Sequence, residues 1–247
     1  ILRSRKELKQ EAKDALSGRW GGAILMTVVP GIIVALITWI LMALTSVPFV
    51  FTSAVSEMIA DSSNSAEMSL ATFATMAPMM GTYSLITIAA SLIQIVLQSG
   101  VNFTYLDALR GRREEPYRVA DAFRCFRSPY LLGLIVVFIL VSIFSYLWTL
   151  LLIIPGIIKF YSYSQSYFIY YDIHEGTGEK PKALECITAS RRLMDGYKWK
   201  LFVLDLSFIG WGILASITVI GLLWFIPYYQ ATRAAFYNAL PDEAVTF

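Results

Sequence analysis

Three ionisable side chains interrupt otherwise apolar runs of this chain: Lys159, Asp205 and Arg233. At bilayer depth a lone charge is costly, so such residues pair with one another or mark a path for protons, ions or substrate. Asp205 lies about five residues inside one apolar run, and Arg233 about seven residues from the inner end of the next. At 1.5 Å per residue the two depths match on neighbouring antiparallel helices, which predicts an Asp205–Arg233 ion pair. Such a pair would lock the last hairpin in register; its other use would be as a substrate or proton site. Lys159 follows Pro155-Gly156 by one turn and is expected near the outer face, its ammonium snorkelling to the headgroups.

A second chemical feature is uncharged. The stretch Lys159–Tyr171 reads KFYSYSQSYFIYY, too rich in hydroxyls to face acyl chains all round. Tyr163, Tyr167 and Tyr170 share one helical stripe, and Gln165 sits among them. An earlier apolar run offers Gln94, Gln98 and Asn102 at four-residue spacing, a polar stripe of its own. The two stripes are expected to meet, either as interhelical hydrogen bonds or as a polar cavity for a ligand or amphiphile.

Reaction chemistry finds little support. His174 is the single histidine, so His-rich metal sites and HExxH chemistry are excluded, and no GxSxG elbow, P-loop or dinucleotide fingerprint occurs. Asp172, His174, Glu175 and Glu179 read as a solvated loop. Cys125 and Cys186 read as reduced spectators. No catalytic residue, metal or cofactor is expected.

The elements that must position these residues follow from composition. The chain has 247 residues, 57% hydrophobic and only 15% charged, with a mean hydropathy of +0.60. Four stretches carry no charge at all: 20–56, 68–106, 128–158 and 206–232. Each exceeds the roughly 20 residues a helix needs to cross a bilayer. With a turn at Pro155-Gly156 and another at Thr218–Gly221, they predict an all-α membrane protein of six transmembrane helices, arranged as three tandem hairpins.

Of the 20 Lys and Arg, six precede the first apolar run, six lie in 107–129 and six in 172–200, while 48–78 has none. Positive charge stays inside, so all three basic groups and both ends are expected in the cytoplasm, with 48–78 as the outer loop. The start reads as a charged helix, not as a cleavable leader.

The two later basic groups share a pattern. Tyr105-x-Asp107-x-x-x-Gly111-x-x-Glu114-x-Pro116 matches Tyr170-x-Asp172-x-x-x-Gly176-x-x-Glu179-x-Pro181 at an offset of 65, and Phe236-Tyr237-Asn238 echoes it near the end. The repeat units are approximately 4–106, 107–171 and 172–240, in one membrane domain. An amphipathic helix is expected before each hairpin. The first has a Ser4-x-x-Glu7 capping box and a Leu8, Ala12, Ala15, Leu16 stripe; the second uses Val119, Ala122, Phe123 and Phe126; the third uses Leu184, Ile187 and Met194. These helices either lie in the interface or pack on the bundle. In the first case Arg5, Lys6, Lys9, Lys13, Arg118, Arg124, Arg127, Arg191 and Arg192 are the candidate contacts to anionic headgroups. No nucleic-acid module accompanies these bases.

The opening Ser4-Arg5-Lys6-Glu7-Leu8-Lys9, with Ala12, Ala15-Leu16, Gly18 and Trp20-Gly21, resembles the start of the bacterial integral membrane proteins grouped as domain of unknown function 975. Pro155-Gly156 before a Tyr-rich helix ending Tyr170-Tyr171-Asp172, and Ala234-Ala235-Phe236-Tyr237, are similar to that family too. The resemblance implies a multi-pass protein of the bacterial cytoplasmic membrane and brings no catalytic residues. The reading that follows is a non-enzymatic scaffold that binds lipid or a membrane-protein partner in envelope homeostasis; its alternative is a transporter or amphiphile handler with a cavity between the second and fourth spans.

Overall fold

The structure, a computed structural model, describes residues 3–59, 65–127, 130–218 and 220–241, and all regular structure among them is helical. Two compact units divide the chain: 1–30 with 95–247, and 31–94.

Helix α1 (Arg5–Leu16) begins at the expected capping box. Ser4 Oγ accepts the Glu7 N–H at 3.3 Å, and Glu7 Oε2 accepts the Ser4 N–H at 2.7 Å. It ends before Gly18, whose φ of 71° suits a residue without Cβ. Helices α2 (Trp20–Ile59) and α3 (Ser65–Leu109) follow, of 40 and 45 residues. They overrun the expected outer loop: 48–59 and 65–78 are helical, and 60–64 lie outside the described residues. The polar side chains there do not break the helix because they bond to it, as Thr52 Oγ1 does to the Pro48 carbonyl and Thr82 Oγ1 to that of Pro78. The same i−4 bonds serve Thr38, Ser84, Thr87 and Ser91, which makes a Ser- and Thr-bearing helix tolerable in an apolar medium. The smaller unit consists of these stretches of α2 and α3, with Tyr83 donating to the Met42 carbonyl at 3.3 Å.

The second amphipathic helix shrinks to one turn, α4 (Val119–Ala122), and a 3-10 turn, Arg124–Phe126. The chain is pressed flat onto α3 here: a Cβ on Gly100 would come 2.3 Å from the Ala122 carbonyl oxygen. Phe123 is consequently turned outward and exposed, not buried with Ala122 as its spacing suggested.

Helix α5 (Tyr130–Leu151) meets α6 (Ile153–Tyr163) at Leu152, three residues before the expected Pro155-Gly156 turn. Pro155 falls in the first turn of α6, where a missing N–H is harmless. The expected fourth span is then broken: α6 stops at Tyr163 and α7 (Ser166–Thr177) begins after Gln165. The break is held by α8 (Ala183–Leu193). Ser190 Oγ donates to the Ser162 carbonyl at 2.8 Å and accepts the Gln165 N–H at 3.2 Å. Two backbone groups released by the interrupted ladder thus find one hydroxyl. On α8 itself Ile187 is buried, as is Met194 just beyond it, but Leu184 is exposed. Helices α9 (Lys198–Thr218) and α10 (Gly221–Asn238) complete the chain with their turn where expected.

Among the described residues, four helical stretches are long and apolar enough to cross a membrane: Trp20–Val55, Met76–Leu109, Tyr130–Leu151 and Lys198–Thr218. The return limbs α6–α7 and α10, expected as the fourth and sixth spans, are not among them, the first because it is broken and the second because its C-terminal half is polar.

The core of the larger unit lies at the base-rich end. Phe103 stacks on Tyr171 at 4.4 Å and Phe168 on Tyr237 at 4.8 Å. Ala231 and Ala235 are fully buried, and α1 packs against α10 with Leu8, Ala12 and Leu16 inside. The Tyr170 ring covers Gly133, where any side chain would overlap it.

Candidate functional site

The repeated Tyr/Asp motif builds a pair of matched clusters. In the first, Asp107 Oδ1 accepts the Tyr171 hydroxyl at 2.7 Å and Oδ2 accepts Arg124 Nη1 at 2.7 Å. In the second, Asp172 Oδ2 accepts the Tyr237 hydroxyl at 2.7 Å, while Arg110 binds both carboxylate oxygens, at 2.5 and 2.9 Å. Each aspartate therefore takes a tyrosine from the next copy of the motif and an arginine from the segment after Asp107. In the third copy the aspartate is Asn238, whose Oδ1 accepts Arg110 Nε at 3.0 Å. The fork of Arg110 joins the second and third motifs through one side chain.

Burial works against the Arg110 charge, but the hydrogen bond and charge of Asp172 outweigh it and raise the guanidinium above its ordinary value. Arg124 is raised too, with Asp107 and Tyr171 offsetting its burial. The offset of 65 pointed to Asp107 and Asp172 alone; the tyrosines that reach them, Tyr171 and Tyr237, and both arginines lie outside its identities, while Tyr105 and Tyr170 are used on Thr27 and over Gly133. Arg124 was a headgroup candidate and is instead committed to Asp107 and Tyr171.

Asp205 and Arg233 do come to one place, but not as the direct ion pair expected. Tyr229 lies between them, its hydroxyl donating to Asp205 Oδ1 at 3.0 Å and accepting Arg233 Nη1 at 3.3 Å. The phenol is four residues before Arg233 on α10, on the same face, and occupies the gap that the two shorter reaches leave. Lys159 is half-buried, its ammonium 4.5 Å from the Trp148 ring centroid near the end of α5.

Of the polar stripes, Gln94 is exposed in the smaller unit, and Gln98 and Asn102 are half-buried in the larger one. Tyr163 and Gln165 are buried and Tyr167 half-buried. Gln165 donates its side-chain N–H to Ser164 Oγ at 2.9 Å, and its backbone partner comes from α8. His174 packs edge-on against Tyr130 and lies 2.9 Å from the Glu179 carbonyl, and Tyr130 donates to Glu175. Among the described residues no three metal-ligating side chains gather. Both thiols are buried, and burial pushes each up to about 12.

The remaining basic candidates divide by exposure. Arg5, Lys6, Lys13, Arg118, Arg127, Arg191 and Arg192 are exposed, Arg118 beside Glu115 at 3.9 Å. Lys9 is half-buried: its ammonium lies 3.5 Å from the Ser207 carbonyl and 4.2 Å from the Phe208 ring centroid. Burial first, and then Arg5 and Lys13, lower it from its ordinary value. Lys13 reaches toward the Tyr228 ring at 5.7 Å. The end of α1 is tied down where the Tyr117 hydroxyl donates to the Ala15 carbonyl at 2.9 Å.

No curated protein and no solved structure matches the chain. A family model described as "Protein of unknown function (DUF975)" matches residues 2–164 and 149–244, nearly the whole sequence. This all-helical chain, with its repeated Tyr/Asp clasp and basic N-terminal helix, belongs to the DUF975 family.

Proposed function

We propose that this chain is a non-enzymatic scaffold of a bacterial cytoplasmic membrane, holding anionic lipid or a membrane-protein partner against its basic cytoplasmic surface. The observation that carries the reading is the way α1 is mounted. Its apolar residues Leu8, Ala12 and Leu16 are buried and it packs on α10, while Arg5, Lys6 and Lys13 stay exposed. A helix that spends its apolar face on its own protein does not need to sink into the bilayer. Its bases are instead held on a firm support, where each contributes about 1 kcal/mol toward an anionic surface. Helix α8 follows the same plan, burying Cys186, Ile187 and Leu193 and exposing Arg191 and Arg192.

The three-hairpin arrangement belongs to this reading, with unequal depths. Helices α2 and α3 are each about 60 Å long or more and exceed a hydrocarbon core of about 30 Å. From Ser207, where Lys9 meets α9, to the end of α9 is only about 16 Å. We therefore read the third hairpin as entering one leaflet and returning, whereas the 22 apolar residues of α5 suffice to cross. The parity of crossings is unchanged, so the basic segments stay together on the cytoplasmic side.

The test is native mass spectrometry of the protein extracted with its own lipids, compared with a variant carrying Arg5→Gln, Lys6→Gln, Arg191→Gln and Arg192→Gln. Retention of anionic lipid, or of a partner, is expected to drop about fivefold or more per base that was engaged. Unchanged retention of both would refute the scaffold.

A further inference from the structure

A groove of about 1050 Å³ runs between α1, α9 and α10 within the larger unit. Its α1 side carries Arg5, Lys6, Lys9 and Lys13, and Trp211 and Trp224 stand on its other walls. No acidic residue lines it, and none of the four bases is ion-paired among the described residues. The volume is at the upper end of ordinary small-molecule sites, about 300–1,000 Å³, and the walls away from α1 are largely apolar. Cationic at one end and aromatic along its length, the groove has the polarity of an amphiphile with an anionic head.

Its depth agrees. The charged face of α1 cannot lie in hydrocarbon, so the level at which Lys9 meets Ser207 and Phe208 is the headgroup level. From Ser207 the lining continues along α9 to Thr218, about 16 Å further, half of a hydrocarbon core of about 30 Å. That is the depth of one leaflet. Both tryptophans are open to the side, Trp211 being 67% and Trp224 49% exposed, so a chain can enter laterally from the bilayer.

We infer that this groove seats one anionic phospholipid of the cytoplasmic leaflet, its phosphate between Lys9 and Lys13 and an acyl chain laid along Trp211 and Trp224 toward Thr218. The inference rests on the scaffold reading and makes one of its lipid contacts specific. Arg5 and Lys6 extend the cationic rim, and Tyr228, already close to Lys13, supplies a phenol at the same level. A bilayer-exposed face elsewhere, such as α5, offers apolar surface without bases and would hold lipids of either headgroup equally.

The test uses the full chain in nanodiscs of phosphatidylcholine containing a minor fraction of phosphatidylglycerol brominated on its acyl chains, with brominated phosphatidylcholine as the comparison. Bromine quenches nearby tryptophan. Two bases favour an anion at the surface by about 30-fold, so phosphatidylglycerol is expected to quench far more than its share. The excess should vanish in Lys9→Gln/Lys13→Gln and in Trp20→Phe/Trp211→Phe/Trp224→Phe, and fall in Leu214→Phe, which narrows the groove, leaves the bases and adds no tryptophan. Inorganic phosphate should not displace it. Equal quenching by the two lipids, an excess that survives Lys9→Gln/Lys13→Gln in a correctly folded sample, or its abolition by inorganic phosphate would each overturn the proposal. Arg191→Gln/Arg192→Gln separates the two levels of the argument. If that variant sheds anionic lipid while the groove signal is absent, the groove alone is wrong. If neither responds, the scaffold falls with it.

Discussion

Removing Asp172 tests whether the Tyr/Asp clasp holds successive repeats together. Its carboxylate accepts two bonds from Arg110 and one from Tyr237, and the two charged side chains are only 18% and 20% exposed. Taking out one partner of a buried pair costs about 3–5 kcal/mol, because the other charge is stranded. Partial solvent access to Arg110 lowers this to about 2–4 kcal/mol for Asp172→Ala. For a chain of this size each kcal/mol moves the midpoint by about 2–4 °C, so the loss is about 4–16 °C. Tyr237→Phe, which removes one bond to a charged acceptor, should cost about 1.5–3 kcal/mol. The informative variant is the double Arg110→Met/Asp172→Leu. If the clasp is a buried ion pair, replacing both partners by apolar groups restores much of what either single change loses. Thermal unfolding followed by tryptophan emission in nanodiscs measures all of these. The reasoning is refuted if Asp172→Ala melts within about 2 °C of the parent, or if the double variant loses the sum of the two singles.

The thiols of Cys125 and Cys186 should resist maleimide in the folded protein and react once it is denatured; reaction at the rate of an exposed thiol would contradict their burial. Their folded values near 12 lie above an unfolded value near 9, so the folded state keeps protons that the unfolded state releases. Stability from this source is complete below pH 9 and falls as pH rises toward 12, by about 1.4 kcal/mol per unit per thiol, visible as a steeper alkaline unfolding that Cys125→Ala and Cys186→Ala lessen. Tyr229→Phe removes the bridge between Asp205 and Arg233 and should cost about 1–3 kcal/mol, whereas a midpoint equal to the parent's would mean the two charges pair without it. A single Thr218→Cys at the tip of the third hairpin should stay unlabelled by impermeant maleimide from either side of the membrane. Labelling from the side opposite the bases would establish a full crossing.

Local chemistry was legible in the sequence, and tertiary substitution for it was not. The capping box, the buried stripe of α1 and the α9–α10 turn needed only neighbours in the chain, and they stand where their residues put them. The break after Tyr163 depends on Ser190, a hydroxyl 25 residues downstream, so no periodicity within the Tyr-rich stretch could reveal it. The second amphipathic helix had the right spacing, yet Gly100 on α3 lets the chain lie flat and ends the helix after one turn. Arg124 looked like every other base of its group until Asp107 was beside it.

The location of the repeat itself has a physical reason. Six identities recur at the base-rich ends of the hairpins, while the apolar limbs differ in length, composition and continuity. A limb facing lipid has only to be apolar and to satisfy its own backbone, which many sequences do. The clasp demands a carboxylate, a phenol from the next motif copy and a guanidinium from the segment after Asp107, all at hydrogen-bond distance, and few sequences do that. A duplicated unit can therefore drift along its apolar limbs while the clasp aspartates hold at its base-rich end. By the same logic the third copy can trade aspartate for Asn238, because a neutral amide oxygen still accepts Arg110 without leaving an unpaired charge. Restoring aspartate there would put a second carboxylate on a guanidinium already bound to Asp172. Asn238→Asp should thus lower stability as pH rises above the carboxylate range and be near neutral below it, whereas a uniformly stabilising effect would mean that Arg110 has charge to spare.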